Sequence, residues 1–276
     1  MSELRKGATA LVTGAASGIG LALSRELARR GLQVWMADIE YEKVRLAADP
    51  IGARSLSLDV RDAAAFRECV GIVVREAGCL DFLFNNAGIL ISGEASDFDT
   101  DRFDRIIDVN IRGVVNGTMA AYPVMIDQGF GHIVNTASLG GLMPAPLLAA
   151  YGMSKHAVVG LTTSLRFEAE RHGVRVSAIC PAGVDTPMLD ESGADGLRLP
   201  ARPDVRRYLS RLAGTPCAPE QVAREAIRGI ERNQVLIVMP ARARLTMFVY
   251  RFFPGLVEVI GKRFMAAEVR RIRADD

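Results

Sequence analysis

Apolar runs only a strand long alternate along the chain with longer stretches of helical period. The short runs predict strands over residues 8–13, 33–37, 54–58, 82–84, 132–136, 175–180 and 235–238. The longer stretches predict helices over 18–30, 41–48, 62–76, 100–127, 150–171 and 219–231. Strands interleaved with helices of this length indicate parallel βαβ units, and apolar runs such as Ala10-Leu11-Val12 fit a sheet covered on both faces. The expected fold is α/β: a doubly wound, seven-stranded parallel sheet, Rossmann-like, with ligands bound at the carboxyl ends of the strands.

Two regions depart from the alternation. Residues 186–214 carry Gly and Pro at their ends and are expected to form a helical lid that orders on binding. Residues 241–276 form an apolar extension after a single domain spanning 1–240. Its stretch from Met247 to Ile260 is strongly apolar, but Arg251, Pro254 and Glu258 break it too often for a membrane span. This tail holds eight basic side chains against four acidic ones. Packing over the substrate cleft or on a neighbouring subunit is the preferred reading, ahead of an amphipathic segment on a membrane surface.

Composition narrows the class. A chain of 276 residues suits one compact α/β unit with a sizeable core. With 49% hydrophobic and 24% charged residues, it reads as soluble and globular. The net charge of +2 offers no basic excess to neutralise phosphates, which argues against a nucleic-acid partner. Cys69, Cys79, Cys180 and Cys217 show no C-x-x-C spacing and read as reduced thiols, consistent with a cytoplasmic location. The first apolar run is too short for a signal peptide. His132, His156 and His172 have no metal-ligand spacing, so no metal is expected.

The candidate chemistry lies at Tyr151 and Lys155, four residues apart, with Ser138 thirteen residues before the tyrosine. On a helix, i and i+4 share a face, which sets an ammonium beside a phenol. A phenol with a pKa of roughly 10 is a poor base at neutral pH, and a nearby cation favours its ionised form. Ser138 is placed to add a hydrogen bond to a reacting oxygen. Taken singly, the pair also reads as an ordinary helix-surface contact, and Ser138 as a turn residue.

The first strand runs into a turn, Thr13-Gly14-Ala15-Ala16-Ser17-Gly18-Ile19-Gly20, that opens a helix. Glycines permit a tight turn and close approach, and helix N-terminal amides suit a pyrophosphate. A tight turn without a ligand is the alternative. The second strand ends at Asp38, eighteen residues after Gly20, where a carboxylate can accept from ribose hydroxyls and repel a 2′-phosphate. No cation at Ala15, Ala16, Ser17 or Ile39 offsets it, which favours NAD over NADP; capping of the next helix is the other reading.

With these motifs in this order, the chain resembles the short-chain dehydrogenase/reductase family in its single-domain branch, over residues 7–189. The resemblance rests also on Asp59-Val60, Asn85-Asn86-Ala87-Gly88, Asn110 and Pro181-x-Gly183. It implies that Asp59 and Val60 flank an adenine, with the carboxylate accepting from its amino group. It implies that Asn86, Ala87 and Gly88 line the cofactor, and that Asn110 holds a water near Lys155. Ser138 would orient the substrate oxygen, Tyr151 exchange its proton, and Lys155 lower the tyrosine pKa and bind the nicotinamide ribose. Gly183, Val184 and Thr186 would follow the sixth strand against the nicotinamide. The family's Pro-Gly pair is here split by Ala182. A homodimer or homotetramer is implied by the resemblance alone.

Substrate-facing candidates follow by position: Leu90 and Ile91, then Leu139, Leu142 and Met143, then Met188 and Leu189. They suggest an apolar pocket and a lipophilic secondary alcohol or ketone, or else simple core packing. Arg198, Arg202, Arg206, Arg207 and Arg211 read as a solvated helix face before an anion site. The expected function is an NAD-dependent oxidoreductase acting on CH–OH groups. A non-catalytic dinucleotide-binding scaffold is the alternative, and it gives Ser138, Tyr151 and Lys155 no use. A methyltransferase would leave the asparagine turn unexplained.

Overall fold

The computed structural model describes residues 4–190 and 203–275. Its strands are β1 (Thr9–Thr13), β2 (Gln33–Asp38), β3 (Arg54–Ser57), β4 (Phe82–Asn85), β5 (Gly131–Thr136), β6 (Val174–Pro181) and β7 (Leu236–Met239). They form one sheet in the order β3-β2-β1-β4-β5-β6-β7. Every neighbouring pair is parallel. This is the doubly wound architecture expected from the alternation.

Side chains along a strand point alternately to the two faces, and both faces here are covered. On one side Ala10 and Val12 of β1 join Val34, Met36, Phe82 and Phe84. They pack under α1 (Gly18–Arg29), α2 (Tyr41–Ala48) and α8 (Pro219–Glu231). On the other side Leu11, Trp35, Leu83 and Ile133 pack under α3 (Ala63–Ala77), α5 (Gly113–Gln128) and α6 (Ala149–Glu170).

The chain leaves β1 towards β2 on one side, while β4 returns to pair with the other side of β1. The turns after β1 and β4 therefore diverge at the carboxyl edge of the sheet and leave a crevice between them. Thr13 and Asn86 hold the two turns in register. The Thr13 hydroxyl accepts from the Asn86 and Ala87 amides, at 3.0 and 3.1 Å. Asn86 Nδ2 donates to the Thr13 and Gly14 carbonyls, at 3.0 and 3.2 Å. Behind them Asn85, Asn135 and Thr162 form a buried chain linking β4, β5 and α6.

One helix departs from its expected form. The continuous helix over 100–127 is instead α4 (Thr100–Ile106), a wide π-helical segment (Ile107–Arg112) and then α5. The wide turn falls on Asn110, which is fully buried rather than solvent-facing. Its side chain accepts from the Ile89 amide at 2.8 Å and donates to the Ile89 carbonyl at 2.9 Å. These tertiary bonds accompany a local widening of a kind that often marks functional sites.

Of the segment over 186–214, residues 191–202 lie outside the described residues, and with them Arg198 and most of the expected lid; Arg202 does too. The described part contains α7 (Val205–Ala213). The tail forms α9 (Ala241–Phe252) and α10 (Pro254–Asp275), divided where Pro254 cannot continue the preceding helix. No helix among the described residues is long and apolar enough to cross a membrane.

Candidate active site

The crevice at the carboxyl edge opens into a cavity of about 1270 Å³. At one end Gly14, Ser17, Gly18 and Ile19 form its wall where α1 begins. Gly14 and Gly18 have φ values of +63° and +53°, a conformation L side chains rarely adopt. The Ser17 side chain makes no capping bond, so the first-turn amides of α1 are not capped by it. This cradle suits an anionic group such as a pyrophosphate. Gly20 differs from its expected role. It does not line the cavity; a Cβ there would stand 2.1 Å from the Gly14 carbonyl oxygen, so its bareness lets α1 close on the turn.

Asp38 lines the cavity at the end of β2. Its carboxylate accepts from the Ala16 amide at 3.0 Å and the Glu40 amide at 3.1 Å. Glu40, not Asp38, occupies the N-cap position of α2. Asp38 thus ties the glycine turn to the second strand and still presents its charge to the cavity. Asp59 and Val60 line the same end. Both Asp59 oxygens are bound by Arg61, at 3.0 and 2.6 Å, and this guanidinium holds the carboxyl below its ordinary range. The implied adenine contact would therefore share an acceptor that Arg61 already engages.

Ser138, Tyr151 and Lys155 line the same cavity. Ser138 ends the run out of β5 and caps a short turn (Leu139–Gly141) by accepting from the Gly140 amide at 3.1 Å. That turn lies directly on α6, where a Cβ on Gly141 would be 2.5 Å from the Lys155 carbonyl oxygen. Tyr151 sits in the first turn of α6 and Lys155 one turn later, on the same face. Lys155 is buried, its ammonium 5.6 Å from the centre of the Tyr151 ring, and it donates to the Thr136 carbonyl at 2.8 Å. Asn110 does not line the cavity; its Nδ2 donates to Ser154 at 3.0 Å, and its Oδ1 and Lys155 Nζ both border the space beside Gly88.

The electrostatics differ from the sequence expectation. Burial pushes the Tyr151 phenol above its ordinary value, and its hydrogen bond with Ser138 offsets this only in part. Burial also draws the Lys155 ammonium down to about 8, with Cys180 opposing the fall. The ring faces the cavity, but enough protein surrounds it that desolvation, not the ammonium, is the leading influence. The resting phenol is therefore protonated at neutral pH.

Asn86, Ala87 and Gly88 after β4 line the middle of the cavity, as do Pro181, Gly183, Val184 and Thr186 after β6. The Pro181-Ala182-Gly183 departure leaves that loop in place, and Val184 bridges to Cys217 in the manner of a short strand. Leu90, Ile91, Leu139, Met143, Met188 and Leu189 line the apolar end. Leu142 instead packs into the core beside Val158 and Val238. From α7, Tyr208, Leu209 and Leu212 face the cavity, and Tyr208 donates to the Pro146 carbonyl at 2.9 Å. Arg206 pairs with Asp185 and Asp190, Arg207 with Asp204, and Arg211 approaches Glu268. None of these three arginines lines the cavity. The four cysteines are free thiols.

The tail, expected over the substrate cleft or on a neighbouring subunit, contributes residues to the cavity lining. Leu245, Val249, Tyr250, Val257, Ile260 and Met265 of α9 and α10 close one side of the cavity. Their three- and four-residue spacing carries a helical signal, but nothing in it names the surface they face.

Comparisons with known proteins agree with this geometry. The short chain dehydrogenase family profile matches residues 8–196. Oxidoreductase UcpA of Salmonella typhimurium is 43% identical over 190 residues, which cover 67% of this chain and 72% of UcpA. SadH of Mycobacterium tuberculosis is 35% identical over 248 residues, covering 87% of this chain and 88% of SadH. Among solved structures, a short chain dehydrogenase/reductase from Burkholderia phymatum in complex with NAD superposes with a TM-score of 0.82 at 28% identity. The superposition covers 92% of this chain and 96% of that one.

Proposed function

This chain belongs to the short-chain dehydrogenase family, as an oxidoreductase, and from that premise we propose that it interconverts a lipophilic secondary alcohol and its ketone with NAD. The observation that carries the reading is the meeting of Ser138, Tyr151 and Lys155 in one largely apolar cavity that Gly14, Ser17, Gly18, Ile19 and Asp38 also line. A nicotinamide dinucleotide, when bound, supplies a ring that accepts or donates the hydride. The amides opening α1 would hold its phosphates, Asp38 a ribose, and Lys155 the second ribose.

The chain's own groups handle the proton. Ser138 positions the substrate oxygen by a hydrogen bond. Tyr151 gives its phenolic proton to that oxygen in reduction and takes one from the alcohol in oxidation. Lys155 stabilises the phenolate that forms, and the space it shares with Asn110 beside Gly88 offers a route for proton resupply.

Because burial raises the Tyr151 phenol, the base form is scarce at neutral pH and the acid form plentiful. Oxidation needs the base, so its kcat/KM is expected to climb with rising pH, by up to about tenfold per unit while the phenol stays mostly protonated. Reduction needs the acid and should fall over the same alkaline range. Profiles taken in both directions check this; a flat oxidation profile above neutrality removes Tyr151 as the base.

The wider reading is tested by following NADH absorbance with a panel of neutral and carboxylated alcohols and ketones, using NAD and NADP in parallel. Neutral apolar compounds and NAD are expected to be preferred, because the α7 arginines are engaged elsewhere and Asp38 opposes a 2′-phosphate. Asp38→Asn keeps an acceptor for the Ala16 amide and removes the charge. It is expected to raise the NADP:NAD preference at least about tenfold, since like charges in contact cost several kcal/mol. Equal use of both dinucleotides by the unaltered protein would exclude that role for Asp38.

A further inference from the structure

We infer that the outer face of α9 and α10 is a docking surface for an anionic lipid bilayer, which the chain contacts without spanning it. Phe252, Phe253, Leu256 and Ile260 are 61%, 58%, 54% and 56% exposed, and Phe248 and Val259 stand exposed beside them. No other stretch of the described residues displays large apolar side chains so densely. The patch exceeds the scattered exposed hydrophobics that are normal on a soluble surface.

The exposure does not come from an undocked helix. The opposite side of α10 is anchored: Phe264, Met265, Val269 and Ile272 pack with Leu147, Tyr208 and Leu209. The Tyr208 and Phe264 rings stand 5.8 Å apart. The outer side of α10 runs through Leu256, Val259 and Ile260 to Arg263 and Arg270, at three- and four-residue steps plus one full two-turn step. Its apolar half adjoins the Phe252–Phe253 corner, and its basic half continues along the same helix.

Charge selects the occupant. Arg251, Arg263 and Arg270 are exposed and have no acidic partner among the described residues, whereas Glu258 is taken by Lys262. A two-fold pairing of this face with a second copy would bring these arginines no free carboxylate, since Glu258 on the same stretch is already paired with Lys262. An anionic bilayer satisfies both halves: aromatic and aliphatic side chains enter the acyl boundary while guanidinium groups reach the phosphates. Leu245 and Ile260 are exposed and also line the cavity, so the docking face adjoins the opening. On the redox reading above, a lipophilic substrate would pass between bilayer and cavity without crossing water. The docking itself does not depend on that reading.

Flotation of the full chain through a density gradient tests it with no cofactor or substrate present. The protein is expected to rise with vesicles of phosphatidylcholine and phosphatidylserine, and far less with phosphatidylcholine alone. Phe252→Gln, Phe253→Gln and Leu256→Gln together should abolish flotation while the unfolding temperature and circular dichroism stay unchanged. Arg251→Gln with Arg263→Gln should lower partitioning to the anionic vesicles roughly 30-fold, at about fivefold for each basic residue. Full-length protein that stays unbound from anionic vesicles overturns the inference. So does concentration-dependent dimerisation, abolished by the triple variant, in a protein that ignores lipid.

Discussion

Tyr151→Phe is expected to lower turnover by about 100- to 10,000-fold in both directions while leaving NAD affinity nearly unchanged. The substitution removes one hydroxyl and keeps the ring, so packing against Leu90, Leu148 and Ala150 is preserved. The lost group is the one hydrogen-bonded to Ser138 and set one helical turn before Lys155. Ser138 and Lys155 remain but cannot replace it. Ser138 is an alcohol with no cation beside it to ionise it, and the Lys155 ammonium is turned to the Thr136 carbonyl. The amides opening α1 and Asp38 are untouched by the substitution. NADH absorbance gives the rate, and calorimetric titration with NAD gives the affinity. Normal turnover by this variant sinks the assignment of Tyr151. Loss of rate and affinity together points to a collapsed site instead.

Gly20→Ala is the second large effect, and it acts through the fold. In a helix interior alanine is worth up to about 1 kcal/mol over glycine, so propensity alone calls the change stabilising. The added methyl, however, would lie 2.1 Å from the Gly14 carbonyl oxygen and 2.6 Å from Asn86 Nδ2. Overpacking of this kind costs about 1–3 kcal/mol, and the nearest atom is backbone that cannot step aside. Relief requires α1 to move off the glycine turn, taking its first-turn amides with it. The expected result is a lower unfolding temperature, by about 2–4 °C per kcal/mol lost, together with weakened NAD binding. Gly160→Ala is the control. Gly160 is an exposed position within α6 with no atom near its missing Cβ, and there the helix preference should win and stabilise the protein. A Gly20→Ala protein as stable as the parent and binding NAD equally well removes the packing role assigned to Gly20.

The two substitutions separate what was readable along the chain from what was not. Tyr151 and Lys155 were legible because a helix converts a spacing of four into a shared face, whatever the rest of the fold does. The glycine turn was legible because strand, turn and helix follow each other without a break. Gly20 belonged to the same motif yet serves packing, since its nearest neighbours are Gly14 and Asn86, one from each of two turns that meet only in the folded sheet. Asn110 was legible as a motif position, but its widened helical turn was not, because the bonds that accompany it come from Ile89, twenty-one residues away. The phenol's upward shift was also out of reach: proximity of Lys155 can be counted along a helix, whereas burial depends on everything that surrounds the ring.

The tail makes the same division at larger scale. Its apolar and basic content and the break at Pro254 are plain in the sequence. That one side of α10 is anchored on Tyr208 and Leu209, while the other stands bare beside the cavity mouth, depends on contacts with a segment some sixty residues earlier.

By itself the sequence determined the α/β alternation, the glycine turn, Asp38 at the end of the second strand, and the serine, tyrosine and lysine spacing. All of these are local, set by period, by turn chemistry or by one turn of helix. Tertiary structure alone decided that these pieces share one cavity, which residues of α7, α9 and α10 line it, and that burial raises the Tyr151 phenol. Those outcomes are sums over neighbours distant in sequence, and no local pattern encodes them.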